Sequence, residues 1–145
     1  MAQAGCSPNP ESGSTDPVVP LTLRVLYGDT DQMGVVYYAN YLRYFEAGRG
    51  ECLRARGLDY REVERRGYRL PVIDAQVRYQ RPAQYDDLLL IETCVASASG
   101  ATVRFTYRVR RGEAQIASGE TTHACLNARG RPVRLPADLA ALVEG

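Results

Sequence analysis

From residue 71 onward the chain is strand-like, beginning with a stretch that alternates apolar and polar side chains without a break, and that pattern narrows the possible folds more than any other feature. In PVIDAQVRYQ, Ile73, Ala75, Val77 and Tyr79 fall on one side and Asp74, Gln76, Arg78 and Gln80 on the other. A period of two is the mark of a strand with unlike faces. LLLIETCVA at 88–96, TVRFTYRVR at 102–110 and AQIASGETTHACLN at 114–127 read as three more strands, separated by the turn signals SASG and RRGE. Turns this short join antiparallel neighbours, whereas parallel strands need a crossover of a dozen residues or more. The second half is therefore expected to be an antiparallel sheet, and the crossover helices that a doubly wound parallel layout needs are missing from it.

A sheet of this kind needs a cover for one face, and the first half supplies it. Residues 18–27 read as a first strand, alternating from Leu21 through Leu23, Val25 and Tyr27. After a loop, NYLRYFEAGRGECLRARG places Leu42, Phe45, Gly48 and Cys52 at helical spacing, which predicts one long amphipathic helix. Asn40 is its expected N-cap and Gly57 its stop. Gly48 inside the helix costs about 1 kcal/mol relative to alanine, a cost explained by close approach to a sheet. A short helix is expected over 59–66 and another in PADLAALVE. One helix laid on an antiparallel sheet is an α+β architecture. With 145 residues, the chain suits one domain, expected over 18–145. Residues 1–17, rich in Gly, Ser, Pro and Asn, present no apolar face and read as a flexible tail.

Several function classes lose support. The 18 basic and 17 acidic residues nearly cancel, so no global field draws the chain to nucleic acid. No apolar run reaches the roughly 18 residues of a membrane span, and the start lacks a signal-peptide pattern. A soluble, intracellular protein is expected. Four cysteines, Cys6, Cys52, Cys94 and Cys125, lie far apart with no Cys-x-x-Cys pair, and there is one histidine, which argues against zinc. Reduced structural thiols are expected, Cys6 excepted as part of the tail. No phosphate-loop or nucleophile-elbow motif occurs. His123 reads as a hydrogen-bonded sheet histidine, and Arg104, Arg108 and Arg110 as a solvated strand face, with contact to coenzyme A phosphates as the alternative.

The stretch YGDTDQMGVVYYANYLRYFEAGR at 27–49 holds two acids, a glycine and a tyrosine-rich entry into the long helix. It resembles the hotdog-fold acyl-CoA thioesterases of the 4-hydroxybenzoyl-CoA thioesterase type, in their bacterial branch. YQRPAQYDDLLLIE and THACLNARGRPVRLP extend the resemblance over about 21–136. It implies a hotdog fold, in which a curved antiparallel sheet wraps the helix, and a homodimer or homotetramer joined through edge strands with sites at the subunit interface. It also implies hydrolysis of acyl-CoA in the cytoplasm, with no bound cofactor and no metal.

By position in the motif, the resemblance makes Asp31 the catalytic carboxylate, acting as base or nucleophile, and Asp29 a structural turn residue. The amide of Tyr38 would polarise the thioester carbonyl. That role suits a helix N-terminus, whose free N–H groups and partial positive charge favour an oxygen becoming negative. Tyr27 matches a tyrosine that precedes the family motif, Gly34 lets the loop turn beneath the substrate, and Tyr37 is placed to line an acyl tunnel. Tyr38 itself stands where the family branch carries a histidine, so no imidazole is available there. Glu46 is a second candidate carboxylate, read as an ion pair with Arg43 or Arg49. Two alternatives accompany this reading: a hotdog hydratase or dehydratase, and a non-catalytic module that binds acyl-CoA or acyl-carrier protein.

Overall fold

The computed structural model describes residues 18–143; the expected tail over 1–17 and Cys6 lie outside the described residues. Strands β1 (Val19–Arg24), β2 (Val72–Tyr79), β3 (Leu88–Ser99), β4 (Thr102–Arg111) and β5 (Ala114–Ala124) form one sheet. Its order is β1-β3-β4-β5-β2, and every neighbouring pair is antiparallel. Two-residue loops close the β3–β4 and β4–β5 hairpins, with Ser99 opposite Thr102 and Arg111 opposite Ala114. Gly100 and Gly112 open those loops at φ of +61° and +60°, a conformation that glycine adopts without steric cost.

The long helix α1 (Asn40–Ala55) lies against β1, β3 and β4. Its buried stripe is Tyr41, Tyr44, Phe45, Gly48, Cys52 and Leu53. The Phe45 ring stacks flat on Tyr107 of β4, centroids 4.2 Å apart and planes within 2°. Two glycines permit this approach. A Cβ at Gly48 would collide with Oγ1 of Thr93 and press on Ile91, and one at Gly119 of β5 would meet the Phe45 ring at 2.6 Å. The helix ends as its sequence suggests: Gly57, at φ +78°, donates to the Arg54 carbonyl while Leu58 donates to that of Leu53, the paired bonds of a Schellman stop. Helix α2 (Tyr60–Arg65) follows, with Asp59 as its N-cap accepting from the Arg61 amide, and α3 (Ala137–Ala140) closes the described chain with a short 3-10 turn.

Four expectations need correction. Leu42 is 41% exposed, because the buried stripe is centred on its neighbours Tyr41, Tyr44 and Phe45. Asn40 is not the cap but the first helical residue, and its side-chain amide instead donates to the Asp29 carbonyl at 2.8 Å. The arginines of β4 are not a solvated row: Arg108 and Arg110 share Glu92 of β3, and Arg104 pairs with Glu120 of β5. Each of the three therefore has an acidic partner on a neighbouring strand. Finally, Cys52 and Cys125 are buried free thiols, but Cys94 is disulfide-bonded.

The alternation of β2 does not bury its apolar side either. Ile73 is 59% and Tyr79 50% exposed, since β2 is an edge strand that pairs with β5 alone. No helix among the described residues is long and apolar enough to cross a membrane.

Candidate active site

Between β1 and α1 the chain makes a compact knot around Asp29. A 3-10 turn, Tyr27–Asp29, buries the Asp29 side chain. Its Oδ2 accepts from the Leu26 amide and from the Tyr44 hydroxyl of α1, each at 3.0 Å. Its backbone carbonyl accepts from the Tyr37 amide at 2.9 Å as well as from Asn40. Arg43 reaches within 3.7 Å of Oδ1. Asp29 is thus the structural acid of the pair, tying the loop to the helix at both side chain and backbone.

Asp31, two residues on, has different surroundings. Its amide donates to the Val35 carbonyl and its carbonyl accepts from Gly34, both at 2.9 Å. Gly34 sits at φ +81°, so the loop needs a residue free to enter the left-handed region. The Asp31 side chain folds over the turn, Oδ1 accepting from the Met33 amide at 2.9 Å, the Asx arrangement that aspartate favours. Val36 then donates to the Ala83 carbonyl at 2.8 Å. That carbonyl belongs to the 80–87 link, which is braced by Asp87, whose Oδ2 accepts from Gln84 and Arg111 at 2.8 Å each.

These anchors bring the Asp31 loop beside the start of α1. The amides of Asn40, Tyr41 and Leu42 already find carbonyls at Tyr37, Tyr38 and Ala39. Those of Tyr38 and Ala39 have no acceptor among the described residues, as expected of the first donors of a helix. The Tyr38 carbonyl accepts a further bond from the Tyr79 hydroxyl at 3.1 Å, which pins that peptide to the edge strand.

Asp31, Met33, Val36, Tyr38, Tyr41 and Tyr79 line a cleft of about 290 Å³, with Arg81 and Pro82 at its side. Ligand sites commonly span roughly 300–1,000 Å³, so this cleft lies at the small end of that range. Asp31 is the one carboxylate lining it among the described residues. The phenols around it are donors, not bases. Burial, followed by repulsion from Tyr79, pushes Tyr41 up to about 12, and burial also raises Tyr79. Tyr37 is raised by its hydrogen bond to Tyr38.

The other residues singled out from the sequence are more scattered. Tyr27 is 78% exposed and meets Tyr85 edge-on at 5.6 Å, away from the cleft. Its place in the alternation of β1 ends with the 3-10 turn, which rotates it outward. Tyr37 packs on Tyr38 with centroids 4.7 Å apart but does not line the cleft, and Gly34 shapes the loop without touching it. Glu46 forms no ion pair with Arg43 or Arg49 among the described residues, since Arg43 turns toward Asp29. His123 is the buried sheet histidine expected, with Nδ1 2.8 Å from the Leu70 carbonyl. Tyr41, Tyr79 and Arg81 were not anticipated at the site. The YQR of the 79–92 motif was the only signal for two of them.

A long helix laid on one five-stranded antiparallel sheet defines a hotdog-fold protein. Residues 25–143 match the thioesterase-like superfamily, and the chain belongs to that family. Acyl-CoA thioesterase YbgC of Haemophilus influenzae is 35% identical over 121 residues, which cover 82% of this chain and 89% of that protein. A 1,4-dihydroxy-2-naphthoyl-CoA hydrolase of Synechococcus elongatus is 31% identical over 109 residues, 74% of this chain and 80% of that one. Among solved structures, a hypothetical protein from Thermus thermophilus superposes with a TM-score of 0.83 at 34% identity, over 87% of this chain and 97% of that chain.

Proposed function

We propose that the chain hydrolyses acyl-CoA thioesters, with Asp31 as the base or nucleophile and the Tyr38 amide as the oxyanion donor. The observation that carries this reading is the pairing of a lone cleft carboxylate with unpaired amides at the start of α1. With Asp31 as base, it takes a proton from water as the oxygen bonds to the thioester carbon. The carbonyl oxygen becomes negative opposite the Tyr38 and Ala39 amides, where a preorganised donor is worth most. Collapse of that intermediate breaks the C–S bond, and the proton held on Asp31 passes to the departing thiolate. With Asp31 as nucleophile, a mixed anhydride forms first and water opens it. Both routes yield one acid and one free thiol, and neither calls on the imidazole that Tyr38 replaces.

The same reading includes a homodimer or homotetramer and a cytoplasmic setting where coenzyme A is available. Assembly through β2 is supported by its unpaired edge and by the exposed Ile73 and Tyr79, since unguarded edge strands recruit partners. A second chain at that edge would extend the cleft, which Tyr79 and Gln80 border.

Asp31→Asn tests the assignment, because the amide keeps the shape and can still accept from Met33 but cannot take a proton. Thiol release from a panel of acyl-CoA esters should fall about 10²–10⁴-fold, while the urea midpoint stays within error of the parent. Near-parental kcat would overturn the role of Asp31. Stoichiometric acyl-CoA binding by the parent without thiol release from any ester would overturn the hydrolase itself.

A further inference from the structure

A second cleft, of about 380 Å³, opens along the later turns of α1. Glu46, Arg49, Gly50 and Leu53 border it from the helix, while Leu70, Phe105 and His123 border it from the sheet side. It shares no lining residue with the Asp31 cleft. At 1.5 Å rise per residue, Gly50 lies roughly 13 Å along the helix from Tyr41.

Its polar floor is built. Arg49 donates through one guanidinium nitrogen to the Tyr107 hydroxyl at 3.0 Å. That hydroxyl is 2.6 Å from Thr121 Oγ1, which is 2.9 Å from His123 Nε2, and His123 Nδ1 is 2.8 Å from the Leu70 carbonyl. Tyr107, Thr121 and His123 are each no more than 2% exposed. The chain orients Arg49 without neutralising it, because each member is an uncharged hydroxyl, a carbonyl or an imidazole. Burial drives the imidazole down to about 4, so it stays neutral at ordinary pH.

Arg49 consequently differs from its neighbours. It is half-buried and forms no ion pair among the described residues, whereas Arg54 at the same cleft is held by Glu51 at 2.6 Å. Glu46, the one acid in the lining, is exposed and solvated. A guanidinium presents five donors in a planar fork suited to a carboxylate, and one nitrogen here is occupied by Tyr107. Beside it, Leu53, Leu70 and Phe105 offer apolar walls that a simple inorganic anion would not use.

We propose that this cleft is a binding site for a small carboxylate with a compact apolar or aromatic body, its carboxylate on Arg49 and its body against Leu53, Leu70 and Phe105. The proposal does not depend on the hydrolase reading. It also gives Glu46 a defined role as the charge that opposes such a ligand.

Sodium benzoate is the probe, titrated into the full-length protein and followed by amide and arginine side-chain NMR, with sodium chloride at equal ionic strength as the control. Saturable shifts are expected at Arg49, Leu53 and Leu70 and not in the 31–38 loop. Arg49→Gln should weaken binding about tenfold or more, as loss of a charge-assisted pair does. Glu46→Gln should tighten it at the parental urea midpoint, while Arg49→Gln gives up the bond to Tyr107 and should unfold at lower urea, so its binding is measured in buffer without urea, with circular dichroism showing it folded. Shifts confined to the Asp31 loop, affinity that is unchanged in Arg49→Gln, or equal shifts with chloride would each overturn the proposal. So would the absence of saturable binding to the parent protein.

Discussion

Replacing Asp29 by alanine should damage the fold in a way that a second substitution does not worsen. Asp29 Oδ2 serves two donors at 3.0 Å, the Leu26 amide and the Tyr44 hydroxyl. Tyr44 is only 5% exposed, and burial, followed by the negative Asp29, raises its pKa, so it stays a protonated donor. Hydrogen bonds to a charged acceptor contribute about 1.5–3 kcal/mol, and an orphaned buried donor costs about 1–3 kcal/mol. Leu26 is 64% exposed and its amide can turn to water, while the Arg43 contact is solvated and contributes little. The Tyr44 bond therefore dominates, and Asp29→Ala should cost about 2–4 kcal/mol. Tyr44→Phe alone removes a donor but leaves the carboxylate its other partners, at about 1–2 kcal/mol. In the double variant no hydroxyl is stranded. Its stability should match that of Asp29→Ala within about 0.5 kcal/mol, a coupling of about 1–2 kcal/mol. Urea unfolding followed by circular dichroism on the four proteins measures it. Additive losses would show that Asp29 and Tyr44 do not act as a pair and would remove the basis for calling Asp29 the structural acid.

Two other perturbations probe the core. Gly48→Ala gains about 1 kcal/mol of helix propensity yet drives a methyl into Thr93 and Ile91; overpacking of this kind costs about 1–3 kcal/mol. Net destabilisation in urea is expected, relieved by adding Thr93→Ala, which also removes a buried hydroxyl that lacks a partner; a Gly48→Ala protein as stable as the parent would refute the close approach. His123 titrates near 4 when folded, below its unfolded value, because burial penalises the cation. The neutral form is thus the folded one: its contribution is complete above about pH 6.5 and is lost as pH falls toward 4, by about 3 kcal/mol. Urea unfolding at pH 7 and pH 4 should show a smaller acid loss in His123→Gln than in the parent; equal losses would mean that the imidazole charges freely in the fold.

What could be read from the residues was whatever depends on near neighbours. Strands β3, β4 and β5 follow from strand-like runs set between short turn signals, and the end of α1 from Gly57. What could not be read depends on order and register. The alternation of β2 would look the same in the middle of a sheet, and only the order β1-β3-β4-β5-β2 makes it an edge with Ile73 in the open. The arginines of β4 look like a free basic face until Glu92 is set opposite Arg108 and Glu120 opposite Thr106. Leu42 falls on the helical stripe yet is left in the open, because the buried face of α1 is centred on the aromatics Tyr41, Tyr44 and Phe45. Asp29 and Asp31 are separated by one threonine, and no local rule tells them apart. The difference is made by Tyr44, fifteen residues along the chain from Asp29, and by whether its hydroxyl meets the first acid or the second.

That difference has a chemical consequence. Asp29 spends its acceptor capacity on donors that arrive from the 3-10 turn and from α1, so taking up a proton would break bonds that hold the loop. Asp31 spends one oxygen on Met33, and its other oxygen has no donor among the described residues. A group that must accept a proton or attack carbon needs a lone pair that the fold does not already use. It must also be held so that reaching the carbonyl requires no rearrangement. Asp31 meets the first condition, and the bonds of Asp29 serve the second on the proposed reading. Through Tyr37, Asn40 and Tyr44, Asp29 fixes the start of α1 to the loop that carries Asp31. On the proposed reading the two acids of DTD act together, the buried Asp29 tying the start of α1 to the loop that carries Asp31.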